Sequence, residues 1–299
     1  MRFLACVYHL LLAIPRRICT RLFNYKILRR ILFDIAEPDS LLISNGRIET
    51  FIVAASDKAI GGSVFINREP YDFDKVKAVV GLLDPNHKRT LLIDIGANIG
   101  TICVPAVKRG LFQRAIAIEP EPRNYSLLVA NISINRLCDR IVPHNVALGQ
   151  NNEESLTFEL SADNFGDHRI RTNNNPGLFN EITRKTIEVK SETFNKVICD
   201  VDSSTTLIWI DTQGFEGYVL SGASNALNNQ TPICLEFWPY GMARSGCYSL
   251  LKEALVNNGY KIFYNLEGSS TPVPLSSQTL DDLYNRLGEQ GTYTDLLVM

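Results

Sequence analysis

Asp94 closes an apolar run, Leu91-Leu92-Ile93, and Gly96, Asn98 and Gly100 follow it at two-residue steps; a second run, Ala115 to Ile118, ends in Glu119. Glycines at a strand-to-helix turn let the backbone come close to a ligand, because no Cβ is in the way. The helix that follows adds free N–H groups and the positive end of its dipole. The pattern is D-x-G-x-N-x-G, not the G-x-G-x-x-G of a dinucleotide site. A carboxylate at the strand end suits an ammonium group instead of a diphosphate, which argues for a ligand with an amino-acid end. An acid at the next strand end, about 20 residues after the glycine turn, is placed to accept both hydroxyls of a ribose. Tight helix packing for the glycines and a surface position for Glu119 are the plainer readings, and the combination of the two motifs disfavours them.

Two further acids end apolar runs. Asp211 follows Leu207-Ile208-Trp209-Ile210, and Glu236 follows Ile233-Cys234-Leu235. In an open parallel sheet both lie at the carboxyl edge, near the same crevice. A carboxylate there holds an acceptor, takes its proton or orients the cofactor; capping the helix that starts near Glu216 is the alternative for Asp211. Trp238 and Tyr240 fit an aromatic wall for a sugar or flat substrate, or equally a core cluster. The histidines at 9, 87, 144 and 168 form no HxH or HExxH pattern, so no metal site is expected. His144 reads as structural, and His168 stands in a polar stretch that can reach the site.

The elements that position these residues alternate. Strands are expected over 91–95, 115–119, 141–146, 156–160, 186–189, 207–210, 233–237, 261–264 and 295–298. Helices are expected over 99–108, 123–135, 192–197, 216–226 and 248–257. This alternation is an α/β pattern, a mostly parallel sheet with helices on both faces. Residues 163–180, rich in Asn and Gly, read as a loop over the site. Ahead of the first core strand, Leu41–Ile43 and Ile48–Ala54 flank Asn45-Gly46 as a hairpin, and apolar residues from 73 to 83 are spaced as a helix. The expected organisation is an N-terminal segment 1–33, a small strand and helix preface 34–85, and the main domain 86–299.

Composition bounds the partners. The chain has 299 residues, 45% hydrophobic and 21% charged, with a formal net charge of −2. That is ordinary for a globular protein and gives no sign of a nucleic-acid binder. The seven cysteines form no CxxC pair, which reads as reduced, buried thiols in a cytoplasmic protein. Residues 1–33 are the exception to the charge balance, with seven Lys/Arg and no Asp or Glu. Phe3 to Ile14 is apolar but short of the ~20 residues a spanning helix needs. Ile18, Leu22, Tyr25, Leu28 and Leu32 then recur on one helical face. Such a segment lies on an anionic membrane surface or packs on the domain. A signal peptide fits poorly, because the charge follows the apolar run.

The blocks LLIDIGANIGTICVPAVKRG, AIAIEPEPRNYSLLVANISIN, HNVALG, LIWIDTQGFEGYVLSGA, PICLEFWPYG and TYTDLLVM, spread over residues 90–299, together resemble the FkbM family of class I S-adenosylmethionine-dependent methyltransferases. The resemblance implies a seven-stranded Rossmann-like sheet with the last strand antiparallel. It implies methyl transfer, usually to a hydroxyl oxygen of a sugar, glycan or secondary metabolite. On it, Asp94, Gly96, Asn98 and Gly100 line the methionine part of S-adenosyl-L-methionine, Glu119 binds its ribose, and Asn145 and Ala147 lie on the adenine side. Trp209 stands where many members have Lys, and Asn195 where many have Asp. Asp211 and Glu236 are the candidate catalytic residues, and no metal ligand is assigned. N-methylation of a protein or nucleic acid and a non-catalytic cofactor-fold module at a membrane assembly are the competing readings. Asp211-Thr212-Gln213-Gly214, in place of N/D-P-P-Y/F, disfavours DNA amino-methylation, and the acids at 94, 119 and 211 disfavour a dead site.

Overall fold

The computed structural model describes residues 25–152, 154–268 and 271–299. Its strands are β1 (Leu41–Asn45), β2 (Thr50–Ala54), β3 (Leu91–Ile95), β4 (Arg114–Ile118), β5 (Ile141–His144), β6 (Ala147–Gly149), β7 (Glu154–Leu160), β8 (Arg169–Ile170), β9 (Lys185–Thr193), β10 (Thr206–Ile210), β11 (Ile233–Phe237), β12 (Ile262–Asn265), β13 (Val273–Pro274) and β14 (Thr294–Val298). The helices are α1 (Lys26–Asp34), α2 (Ile60–Asn67), α3 (Phe73–Leu82), α4 (Cys103–Lys108), α5 (Pro122–Ile134), α6 (Phe194–Val197), α7 (Glu216–Ser221), α8 (Ser224–Asn228), α9 (Pro239–Ser245), α10 (Tyr248–Asn257) and α11 (Ser277–Leu287).

The main sheet runs β13-β12-β14-β11-β10-β3-β4-β5. Strands β5, β4, β3, β10 and β11 are parallel, while β14 inserts antiparallel between β11 and β12. This is the expected α/β sheet with the last strand reversed, plus an eighth, two-residue strand, β13, on the far edge. The central strands are buried on both faces, so they read as continuous apolar runs. Leu92, Ala115, Ala117, Leu207, Trp209, Cys234 and Leu297 face one core, shared with α4, α5 and the preface. Leu91, Ile93, Ile95, Ile208, Ile210, Leu235, Leu296 and Val298 face the other, under α7, α8, α10 and α11.

Several expected elements differ. The expected helix over 216–226 divides into α7 and α8, with Gly222 and Ala223 between them. The helix after the glycine turn starts at Cys103, not at residue 99. Asn98 (φ 51°) and Gly100 (φ 90°) hold left-handed backbone there, which no α-helix continues through. The expected strand over 141–146 divides: β5 stays on the main sheet, and β6 joins a second sheet of order β6-β9-β7-β8. Glu192, expected in a helix, lies in β9; the helix begins only at Phe194, where the Thr193 hydroxyl accepts from the Lys196 N–H. The stretch 163–180 is also not wholly loop, since it contains a 3₁₀ turn at Phe165–Asp167 and β8.

The preface is stitched to the domain by polar groups. Hairpin β1–β2 leaves β2 with a free edge. Asn131 on α5 and Asn135, which caps its C-terminal end one turn later, pair with it as a strand would. Asn131 bonds both the N–H and the C=O of Ile52 (2.6 and 3.2 Å), and Asn135 bonds those of Thr50 (3.1 and 2.7 Å). Both amides are buried, and their pairing satisfies backbone groups that are costly to leave open. Arg109 grips buried Glu49 with two bonds, 2.7 and 2.8 Å. Among the thiols, Cys103, Cys234 and Cys247 are buried, but Cys138 and Cys199 are exposed, against the expectation of buried thiols. Residues 1–24 of the basic N-terminal segment lie outside the described residues. Among the described residues no helix is long and apolar enough to cross a membrane.

Candidate functional site

Sheet register builds the site. Ile95 pairs with Ile210 and Ile118, Ile210 with Leu235, and Glu236 with Asp295. The next residues along β4, β3, β10 and β11 are therefore Glu119, Gly96, Asp211 and Glu236, abreast of Asp295 at the carboxyl edge. Four acids and one glycine thus form a row across five strands. Gly96 (φ 84°) is the narrow point: a Cβ on it would lie 1.8 Å from the Asp211 carbonyl oxygen. Gly100 lines neither cavity described below; a Cβ there would press on Leu128 and Val104, 2.9 Å away.

Two cavities meet over this row, and Gly96, Asn98, Gly166 and Asp211 border both. The first is an apolar slot between Ile118, Val146, Ala147, Leu148, Phe158, Phe165 and Phe215, with Glu119 and His168 at its rim. Both Glu119 oxygens accept backbone N–H groups, from Asn98 and Glu121 at 2.8 Å. A carboxylate oxygen has two lone-pair directions, so each oxygen keeps one for a ligand hydroxyl. Burial pushes the Glu119 carboxyl up to about 8 against the pull of these N–H groups. Asn98 also donates to the Phe165 carbonyl at 2.9 Å, which pins the roof of the slot. The His168 Nδ1 accepts from the Ser161 N–H, and burial holds the ring neutral, near 4. Its Nε2 therefore carries the ring proton. Asn145, expected on the adenine side, is exposed and lines neither cavity. Its amide instead fixes the strand end by donating to the Glu119 and Pro120 carbonyls.

The second cavity is polar. Asp94, Asn98, Thr101, Asp211, Gln213 and Glu236 border it, with Tyr71, Asp72 and Lys75 from the preface, Tyr293 and Asp295 from the chain end, and Trp209, Trp238 and Phe179 as further aromatic walls. Asp94 accepts from the Cys103 N–H at 3.1 Å, and burial lifts it to about 7. A buried acid with unused lone pairs and, among the described residues, no ion pair is a good partner for an ammonium group. The Gln213 amide donates to Asp211 (2.8 Å) and to both oxygens of Glu236 (3.0 and 3.1 Å). One NH₂ group thus holds two carboxyls together. Asp211 is open to the cleft but ringed by protein, and Glu236 is 7% exposed. Desolvation and then the charge of Asp211 push Glu236 well up, and Asp211 rises through desolvation and the charges of Asp295, Glu216 and Asp72. Carboxyls that repel this closely resist ionising together. The corner therefore favours one neutral and one ionised carboxyl, and the ionised one can take a proton.

Glu216 shapes that corner. It is fully buried, and its Oε1 accepts from the N–H groups of Thr212 and Gly214 and from the Thr212 hydroxyl. This ties down the turn in which Gln213 takes a left-handed φ of 56°. Lys75 binds Asp295 at 2.5 Å and Asp72 at 3.3 Å. Burial works against its charge, but Asp295 and Asp72 together with Tyr293 outweigh it and hold the ammonium above its usual range. Above, the second sheet carries a buried ion network. Arg169 pairs with Glu159 (3.0 Å), Asp167 (3.2 Å) and Glu181 (3.5 Å) and stacks on Trp238 at 4.9 Å. Tyr240 is drawn into this network through its bond to Glu181, so of the two aromatics only Trp238 borders the cavity.

The sheet therefore brings Asp94, Gly96, Asn98, Glu119, Ala147, Asp211 and Glu236 to one crevice. Sequence reasoning missed Gln213, Tyr71, Lys75, Tyr293 and Asp295. Gln213 had a signal, the polar residue before a glycine directly after a strand-end acid; the others come from remote elements. Asn195 lies elsewhere and bonds Ser224 and the Asn225 N–H at the start of α8. Among the described residues no group of three or more His, Cys, Asp or Glu is placed to hold a metal ion.

Comparison with known proteins gives a family. The model of the FkbM methyltransferase domain matches residues 94–242. No curated protein matches in sequence. Among solved structures, the methyltransferase FkbM from Methylobacillus flagellatus is similar at 16% identity and a TM-score of 0.43; the match covers 79% of this chain and 52% of that one. The chain thus spans about half the length of that protein. The tRNA m1G37 methyltransferase of M. jannaschii is similar at 10% identity and a TM-score of 0.43, over 88% of this chain and 57% of that one. P. horikoshii TYW2 in complex with MeSAdo is similar at 14% identity and a TM-score of 0.41, over 89% and 74%.

Proposed function

Starting from a chain that carries an S-adenosylmethionine-dependent methyltransferase domain of the FkbM family, we propose that the protein methylates a hydroxyl oxygen of a sugar or glycan. The observation that carries this reading is the Asp211–Gln213–Glu236 carboxyl pair, which stands between the cofactor-type half of the crevice and an aromatic, acid-lined half.

The residues present fit the cofactor. Asp94 suits its ammonium, Glu119 its ribose hydroxyls, and the Val146–Leu148 slot its base. Gly96 and Asn98 let the backbone run beside it. Bound S-adenosylmethionine supplies an electrophilic methyl group on a sulfonium. The chain has two remaining tasks, which are to align the acceptor and to take its proton. Alignment of reacting groups is worth up to about 7–11 kcal/mol. Trp238, Tyr71 and Tyr293 offer flat faces for a sugar ring, and Asp72, Asp295 and Lys75 offer partners for its hydroxyls. Asp211 takes the proton of the attacking hydroxyl, and Glu236 and Gln213 set its charge. Asp211 takes that proton only in its ionised form, so transfer speeds up as pH rises through its raised titration.

Methyl-labelled S-adenosylmethionine incubated with the protein and a panel of glycans tests this. Label is expected in a glycan fraction as an ether, which survives mild alkali. Label found only in alkali-labile esters, or in protein or nucleic acid, overturns the acceptor assignment.

A further inference from the structure

The N-terminal helix carries an apolar row that faces away from the protein. In α1, Arg29 and Phe33 form the inner side: the Arg29 Nε donates to the Ile66 carbonyl at 2.7 Å, and Phe33 packs on Phe65 with ring centroids 5.7 Å apart. The sequence pattern places Tyr25, Leu28 and Leu32 on the apolar face and does not assign Arg29 a side. The structure turns it inward and leaves Ile27, Ile31 and Ile35 outward, 75%, 49% and 54% exposed. Four-residue spacing puts these three on one stripe. Lys26 and Arg30 are exposed beside it, and Asp34 is exposed at the helix end.

We propose that this face docks the protein on an anionic lipid surface. Isolated exposed apolar side chains need no explanation, but a row along one helix edge, flanked by bases, has the form of an interfacial helix. Charge points to the same partner. Besides Arg29, residues 1–33 hold six Lys/Arg and no acid, while the remaining 266 residues hold 23 Lys/Arg against 32 Asp/Glu. The first 33 residues of the sequence are therefore attracted to anionic headgroups and the rest is repelled, which favours contact through this segment. The 24 residues that precede the described chain end where α1 begins. They include the apolar run Phe3–Ile14 and Arg16, Arg17 and Arg21, so they extend the same apolar and basic composition. Three isoleucines alone hold a protein weakly, and the basic charge makes the attachment dependent on anionic lipid and on salt.

The test is flotation of the full chain with vesicles of phosphatidylcholine and phosphatidylglycerol, compared with phosphatidylcholine alone, at low and high salt. Wild type should float with the anionic vesicles, stay behind with the neutral ones, and be released by salt. Ile27→Asp with Ile31→Asp should lower the partition at least tenfold, and Lys26→Glu with Arg30→Glu should do the same. These residues are exposed, so the thermal unfolding midpoint should stay at the wild-type value, which separates lost docking from lost folding. Three outcomes overturn the proposal: no flotation of wild type, equal flotation with both vesicle types, or a double isoleucine variant that floats as wild type does. A wild-type dimer in solution that Ile27→Asp dissociates, without flotation, assigns the face to a second copy and overturns it equally.

Discussion

Asp211→Asn should cut turnover by about 10²–10⁴-fold, the usual contribution of a placed general base, and leave cofactor affinity near that of the wild type. The split follows from position. Asp211 borders both cavities, but its carboxyl is engaged by Gln213 and directed to the Glu236 side. The cofactor-type contacts belong to Asp94, Glu119 and the slot. Asparagine keeps the size and lets Gln213 keep a carbonyl partner, so the turn that Glu216 ties down should stand. What is lost is the ability to hold a proton. In addition, Glu236 loses the neighbouring charge that raises it and should titrate lower. Single-turnover rates with labelled cofactor, alongside binding measured separately, check this. Near-full turnover in Asp211→Asn removes Asp211 from the role of base.

Gly96→Ala should be among the most damaging single-atom additions in the chain. The new Cβ would lie 1.8 Å from the Asp211 carbonyl oxygen and 2.9 Å from its carbon, and both are backbone, so no side chain can swing aside. Strand β3 would have to part from β10 at the point where the Asp211 N–H bonds the Ile95 carbonyl at 2.9 Å. Overpacking of this kind costs about 1–3 kcal/mol, and left-handed backbone on an L-residue about 1–2 more. The sum is a large share of a typical domain's ~5–15 kcal/mol. Gly110→Ala is the matched control: its φ is 73°, but a Cβ there meets nothing within 4 Å, so only the backbone cost remains. Urea unfolding should rank the two clearly, and only Gly96→Ala should also lose the cofactor. Equal stabilities would show that the crowding at Gly96 is relieved by strand movement.

The row of strand-end residues was legible because each member follows an apolar run, and a parallel sheet gathers such ends at one edge. Glu119, Asp211 and Glu236 could thus be placed together without knowing any side chain's direction. What sequence could not supply was register between distant strands. Asp295 joins the row only because β14 inserts antiparallel beside β11, and Tyr71 and Lys75 reach the cavity only because α3 packs over that edge. Asn145 was misplaced for a related reason. It follows β5, but its amide is spent on the two carbonyls of the strand end. The second sheet was half visible as short strands. Its buried Arg–Glu network was not, because the polar character that marks such residues as loop is the same character that pairs them in the interior.

The central claim is that Asp94 and Glu119 frame a site for S-adenosylmethionine, and calorimetric titration of that cofactor tests it most directly. The sign of the pH effect is fixed. In the free protein burial holds the Asp94 carboxyl near 7, whereas an ammonium beside it favours the ionised form. Below pH 7 binding must therefore displace a proton, and affinity falls by up to tenfold per pH unit. Wild type should bind one equivalent at pH 7.5, bind about tenfold more weakly at pH 6 with release of a proton to the buffer, and lose binding in Asp94→Ala. No binding to wild type at pH 7.5, or affinity in Asp94→Ala equal to that of wild type, would contradict the account.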